Sequence, residues 1–402
     1  MTTEPDAAGS AQPDPPAQPV HPTPGEPTRE PDRQPEGQPD PDTIPLEPEQ
    51  VADPEPESGS GVKPELSALP PSARPAGKGT LAAKIAIAFA DIKIAHSLFA
   101  LPFAVLAAFL AGPGRAMTLH TRAVAEADEG AAPPEFAFGW WSFAVKLGLI
   151  VLCMVFARTW AMLVNRIADR TLDAENPRTA KRAFAAGRLS TADGLLMLAG
   201  SAGLFIAACA MFTVFFDNQW PLYGSIPVLI WIAFYSFTKR FTLLCHVFLG
   251  SALAVSPIAA AVAVDPQSLR LLTSTGPSIY LLAAMVLCWV AGFDVIYALQ
   301  DHEHDAEAGL HSIPARLGPR RAIFLSRVLH LACLGALLGA WAFNPNLGQV
   351  FGIGVGATAV LLVAEHLVLV KRGEAGLNMA FFTLNGVISL VLGATGIADL
   401  FL

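Results

Sequence analysis

From residue 90 to the C-terminus, apolar residues fall into blocks of about 20, the length a helix needs to cross a bilayer. Nine such blocks lie near 90–111, 141–164, 192–216, 220–237, 243–264, 277–298, 320–342, 348–370 and 379–401. The fourth is short and the first contains Pro102. Proline is tolerated in membrane helices because neighbours satisfy the backbone groups it frees. The pattern predicts an all-α membrane protein with nine transmembrane helices.

Residues 1–79 follow another pattern. They hold 20 of the 33 prolines, and fifteen Asp/Glu stand against five Lys/Arg. Such a stretch buries too little apolar surface to offset the entropy of ordering it, so a disordered tail is expected, followed by a membrane domain over 80–402. The tail also lacks the charged start and apolar core of a signal peptide.

The basic residues orient the spans. Arg166, Arg170, Arg178, Lys181, Arg182 and Arg188 follow the second span, Lys239 and Arg240 the fourth, Arg316, Arg320 and Arg321 the sixth, and Lys371 and Arg372 the eighth. The opposite loops are poor in bases: Arg270 stands alone in one, and Arg115 and Arg122 are balanced by Glu126, Asp128 and Glu129. Every even-numbered loop is therefore expected in the cytoplasm, with the N-terminus inside and the C-terminus outside. The alternation supports nine spans, as an integral protein of a bacterial-type inner membrane.

Overall the chain is 53% hydrophobic and 15% charged, with a net charge of −8. That acidity belongs to the tail and says nothing of the membrane domain's partners; no nucleic-acid partner is expected. Cys153, Cys209, Cys245, Cys288 and Cys333 each sit alone in an apolar run. None has metal-ligand spacing, and all five read as small buried hydrophobes.

Two cytoplasmic loops carry the chemistry. One reads N-x-x-x-D-x-x-x-D over Asn165, Asp169 and Asp173; the other reads D-x-x-Y-x-x-x-D-x-x-x-D over Asp294, Tyr297, Asp301 and Asp305. A spacing of four places Asn165, Asp169 and Asp173 on one helix face, and likewise Asp301 and Asp305. Each cluster continues the C-terminal end of a span, where the helix dipole is already negative, so a compensating cation is needed. An Asp at the membrane centre costs about 2.5–3.5 kcal/mol, so five of them must face a polar cavity or the rim. Oxygen-only ligands of this kind suit Mg²⁺ shared with substrate phosphates. His302 and His304 sit inside the second cluster and are expected to point away from its acidic face. Arginines in the same layer, Arg170, Arg178 and Arg182 among them, suit bidentate contacts to a diphosphate or carboxylate.

Together these motifs resemble the UbiA superfamily of intramembrane prenyltransferases, over about residues 85–402. Tyr235-Ser-Phe-Thr-Lys239-Arg240 resembles the Y-x-x-x-K-R element of its 4-hydroxybenzoate polyprenyltransferase branch, and Arg178-Thr179-Ala-Lys-Arg182 resembles its R-T-x-x-R. Ala183 replaces a proline that often follows there. The resemblance implies a nine-helix bundle around a central cavity capped by both acidic motifs. It implies that Asn165, Asp169, Asp173, Asp301 and Asp305 bind Mg²⁺ and the diphosphate, with Asp169, Asp301 and Asp294 at the chemistry. Lys239 and Arg240 would contact diphosphate or an acceptor carboxylate, with Tyr235 and Tyr297 nearby. The implied partners are a polyprenyl diphosphate, whose tail exits sideways into membrane lipid, and a small aromatic acid.

The first span departs from the best-known 4-hydroxybenzoate enzymes. Lys93-Ile-Ala-His96-Ser97-Leu-Phe99-Ala100-Leu101-Pro102-Phe103-Ala104 resembles the K-x-x-H-[ST]-x-F-A-L-P-F-A opening of a related subgroup, some of whose members use a dihydroxynaphthoate in menaquinone synthesis. Haem or a chlorin is a further acceptor class. The competing class is an ion-coupled secondary transporter, which also places acids in spans and shows similar halves. Its acids belong near the midplane, whereas these cluster at one face.

Overall fold

A computed structural model describes residues 80–92, 99–127, 134–377 and 379–402. The expected tail over 1–79 lies outside the described residues, as does the stretch 93–98 of the first-span motif. Among the described residues the regular structure is helical throughout, and nine helices are long and apolar enough to cross a membrane.

The order begins with α1 (Leu81–Ile92), α2 (Leu101–Phe109) and α3 (Arg115–Ala125). A π-helical turn at Leu110–Gly114 joins the last two into one span, Leu101–Ala125. The first span therefore differs from the block expected at 90–111. Pro102 does not interrupt it: Pro102 stands in the first turn of α2, where the amide it lacks would have no intrahelical partner. Arg115 and Arg122, expected in a loop, lie on α3.

Next come α4 (Trp140–Ala168), the short α5 (Arg170–Glu175), α6 (Thr191–Phe216), α7 (Trp220–Thr238) and α8 (Cys245–Val264). Ser190 caps α6 reciprocally: its hydroxyl accepts from the Asp193 amide while the Asp193 carboxylate reaches back to the Ser190 amide. The chain then runs through α9 (Thr275–Tyr297), α10 (His302–Glu307), α11 (Ile313–Leu317), α12 (Pro319–Phe343), α13 (Gln349–Arg372) and α14 (Asn385–Asp399), the last preceded by a π-helical segment, Met379–Leu384.

Helix α9 is the centre of the bundle and α4 is peripheral: two-thirds of the apolar stretch of α9 is buried against one-ninth for α4. On α9, Trp289 is fully buried among Phe103, Phe293, Met285 and Leu282. Its indole N–H donates to Asn385 Oδ1 at 2.6 Å, and Asn385 in turn donates to the buried Glu365 at 3.3 Å. Apolar burial does not draw helices together in lipid, so close backbone approach and hydrogen bonds such as these carry the association. Gly250 on α8 illustrates the approach: a Cβ there would stand 2.4 Å from the Leu287 carbonyl oxygen of α9. Outward positions such as Val214, Ile230, Ile353 and Val360 are exposed apolar side chains suited to acyl chains.

Candidate active site

The C-terminal ends of α4, α7 and α9 and the N-terminal end of α8 meet at one end of the bundle. There they enclose a cavity of about 230 Å³. Both acidic motifs open into it: Asn165, Asp169 and Asp173 from one, Asp294, Tyr297, Asp301 and Asp305 from the other.

Asn165 is on the last turn of α4, Asp169 caps that helix, and Asp173 lies on α5. The Asn165 amide donates to Asp169 Oδ2 at 3.0 Å. In the second motif a 3₁₀ turn, Ala298–Asp301, separates α9 from α10, so Asp301 and Asp305 belong to successive short elements rather than to one continuous helix.

Each carboxylate meets a basic side chain. Arg240 donates to Asp169 Oδ1 at 2.7 Å and to the Ala168 carbonyl. Arg182 donates to Asp173 Oδ1 at 2.6 Å. Arg178 grips Asp301 with both Nε and Nη2, and its guanidinium lies 5.7 Å from the Tyr297 ring centre. Lys239 stands 3.8 Å from Asp305. Burial pushes the Asp169 carboxyl above the usual carboxylate range, although Lys239 and Arg240 pull it the other way. These pairings answer the helix-end problem: positive side chains sit where the macrodipole and the acids are both negative.

Not every expected residue joins the cavity. Arg170 turns away and donates to the Thr191 hydroxyl at 2.6 Å. Arg316 is used locally, on the carbonyls of Gly309 and Leu310. His302 turns aside toward the Leu299 carbonyl, as expected, but His304 lines the cavity, against expectation. The break in the helix at Asp301 accounts for this, because it offsets α10 from the face that α9 defines.

Sequence reasoning missed several contributors. His246 Nδ1 lies 2.7 Å from Asp294 Oδ2. Asn176 donates to Asp301 Oδ1 at 3.0 Å. Asp91 pairs with Arg166 at 3.5 Å. Ser236 and Ser312 line the cavity with buried hydroxyls that have no hydrogen-bond partner. His246 was findable: a His seven residues after Lys239, opening an apolar span, is an unusual place for a polar ring.

The donor set fits Mg²⁺. It is all carboxylate and amide oxygen, and Asp173 Oδ2 is buried without a hydrogen bond. Among the described residues no three His, Cys, Asp or Glu side chains converge closely enough to hold a cation unaided. That arrangement suits an ion completed by substrate phosphate oxygens and water.

Fold and site together define a helical-bundle membrane protein with an acidic and basic cavity at one end of the bundle. The UbiA prenyltransferase family model matches residues 135–387, and the chain belongs to that family. It is 31% identical over 248 residues to the 4-hydroxybenzoate octaprenyltransferase of Edwardsiella ictaluri, spanning 61% of this chain and 81% of that one. The Shewanella halifaxensis enzyme of the same name is 29% identical, over 59% and 78%. Among solved structures, a UbiA homolog from Aeropyrum pernix superposes with a TM-score of 0.60 at 28% identity, over 76% of this chain and 98% of that one. An Archaeoglobus fulgidus UbiA homolog bound to GPP and Mg²⁺ shares the fold, with a TM-score of 0.54 at 18% identity.

Proposed function

We propose that this protein transfers a polyprenyl group from its diphosphate to a ring carbon of 4-hydroxybenzoate or a similar aromatic acid, at the cytoplasmic face of the membrane. One observation carries the reading: Asp173 and Asp301, 128 positions apart, open into one cavity rimmed by Arg178, Arg182 and Lys239. The names of the relatives support an aromatic acid as acceptor. The GPP and Mg²⁺ bound by the Archaeoglobus homolog support a prenyl diphosphate and a divalent ion.

Asp169, Asp173, Asp301 and Asp305, with Asn165, would hold Mg²⁺, which when bound supplies positive charge opposite the diphosphate. Arg178, Arg182 and Lys239, which line the cavity, present cations to the diphosphate as negative charge grows on it during C–O cleavage, while Arg240, outside the lining, braces Asp169. Asp169 and Asp301 hold Arg240 and Arg178 in that layer, and Asp294 faces the acceptor. The apolar bundle below the cavity excludes bulk water, which protects an allylic cation from hydrolysis. Tyr235 and Tyr297 line the wall of the cavity, where Tyr297 stacks on Phe381 and lies against the Arg178 guanidinium.

The first-span motif favours a second acceptor, a dihydroxynaphthoate of menaquinone synthesis, within the same reaction. A transporter fits less well, because these acids are paired at one end of the bundle rather than exposed at its midplane. The test is a reconstituted assay with one long prenyl diphosphate and both aromatic acids in competition. Mass spectrometry of a lipid-soluble, prenylated 4-hydroxybenzoate would bear the reading out. Uptake of a solute with no prenylated product would overturn it.

A further inference from the structure

His246 opens α8 and is almost fully buried, yet neither of its ring nitrogens is idle. The Ile313 amide donates to Nε2 at 3.3 Å. A nitrogen that accepts carries no proton, so the imidazole hydrogen is on Nδ1. Nδ1 therefore donates to Asp294 Oδ2, at 2.7 Å. Asp294 lines the cavity, and its other oxygen takes no hydrogen bond among the described residues. A backbone amide thus fixes a ring, and the ring fixes one edge of a carboxylate. Three elements meet in this chain of contacts, α8, α9 and the start of α11. The close pass of α8 over α9 at Gly250, one turn beyond His246, holds the first two in register.

We propose that His246 is a positioning residue for the aromatic acceptor: it occupies one oxygen of Asp294 so that the other is presented to the acceptor's ring hydroxyl. That hydrogen bond orients the ring and enriches it in electrons at the carbon that is alkylated. The proposal rests on the prenyl-transfer reading above and deepens it, since it assigns the acceptor's hydroxyl, rather than its carboxylate, to the α8–α9 side of the cavity.

The test uses the full-length protein in proteoliposomes, with geranyl diphosphate and 4-hydroxybenzoate as probes. His246→Leu removes both hydrogen bonds. It is expected to lower kcat/KM for the aromatic acid about 100-fold, the size of one misplaced polar contact at a reacting centre, while KM for geranyl diphosphate stays within about twofold. His246→Gln can donate its amide N–H to Asp294 and accept from Ile313. It is expected to recover all but about tenfold of the loss. A loss shared equally by both substrates, or one that glutamine fails to rescue, marks His246 as structural and overturns the proposal. So does full activity in His246→Leu. If Asp294→Asn is inactive while His246→Leu is unimpaired, this inference falls and the prenyl-transfer reading stands. A wild-type protein that prenylates no aromatic acid removes both.

Discussion

Arg178 and Asp301 stand 123 positions apart, yet the guanidinium of one clasps the carboxylate of the other through two nitrogens. This fork ties the loop after α5 to the end of α9 and so joins the two acidic motifs. A lysine keeps the charge but cannot reproduce the fork. Arg178→Lys is expected to lower kcat/KM for the prenyl diphosphate about tenfold, and Arg178→Ala on the order of 100-fold or more, in a steady-state transfer assay.

Asp169 offers a pH test whose sign can be worked out. Its folded-state pKa lies above the unfolded value because burial disfavours the carboxylate. The folded protein therefore binds this proton more tightly than the unfolded chain does. The stability it contributes is present at low pH and lost as pH rises through that raised value. In metal-free protein, Asp169→Asn should raise the melting temperature near neutral pH, and the gain should shrink as pH falls toward 4. Transfer activity should be lost at the same time. Thermal unfolding across a pH series, read by intrinsic fluorescence, checks this.

Removal of divalent cation with a chelator should abolish transfer, and Mg²⁺ should restore it. Asp173 carries a buried oxygen free for such an ion. Asp173→Asn should therefore raise the Mg²⁺ concentration needed for half-maximal activity by about tenfold or more, measured by titrating the chelated protein.

Gly250 tests whether helix approach sets the site. An added Cβ meets backbone at 2.4 Å, which no side-chain rotation can relieve. Gly250→Ala should destabilise the protein by about 1–3 kcal/mol in a denaturant titration in detergent. It should also depress activity, because the α8–α9 spacing carries His246 to Asp294.

The nine spans were legible because bilayer thickness imposes one length on every helix, and both acidic motifs were legible because charge in an apolar chain is costly. Three things were not. The π turn that carries the first span on to Ala125 falls on Leu110-Ala-Gly-Pro113-Gly114, a run that reads as a helix end because Pro113 lacks an amide hydrogen, so the apolar pattern ends its first block at 111. Arg170 and Arg178 both read as cytoplasmic bases of one loop, but Arg170 opens α5 and reaches Thr191, while Arg178 follows that helix and reaches Asp301. His246 carries a local signal, a polar ring at the start of an apolar span, but its pairing was not legible, because Asp294 is 48 positions away and no local spacing links the two.

The four pairings of Asp169, Asp173, Asp301 and Asp305 with their own bases have a thermodynamic consequence. A metal ion that claims the carboxylates competes with their arginines and lysine, and an anion that claims those bases competes with the carboxylates. Alone, each ligand meets that competition in full; together, each finds its counterparts already released. Magnesium and diphosphate should therefore bind as a cooperative couple, each tightening the other by the same factor, about 5–150-fold for a coupling of 1–3 kcal/mol. Calorimetric titration of either ligand, with and without the other, measures that factor from both directions.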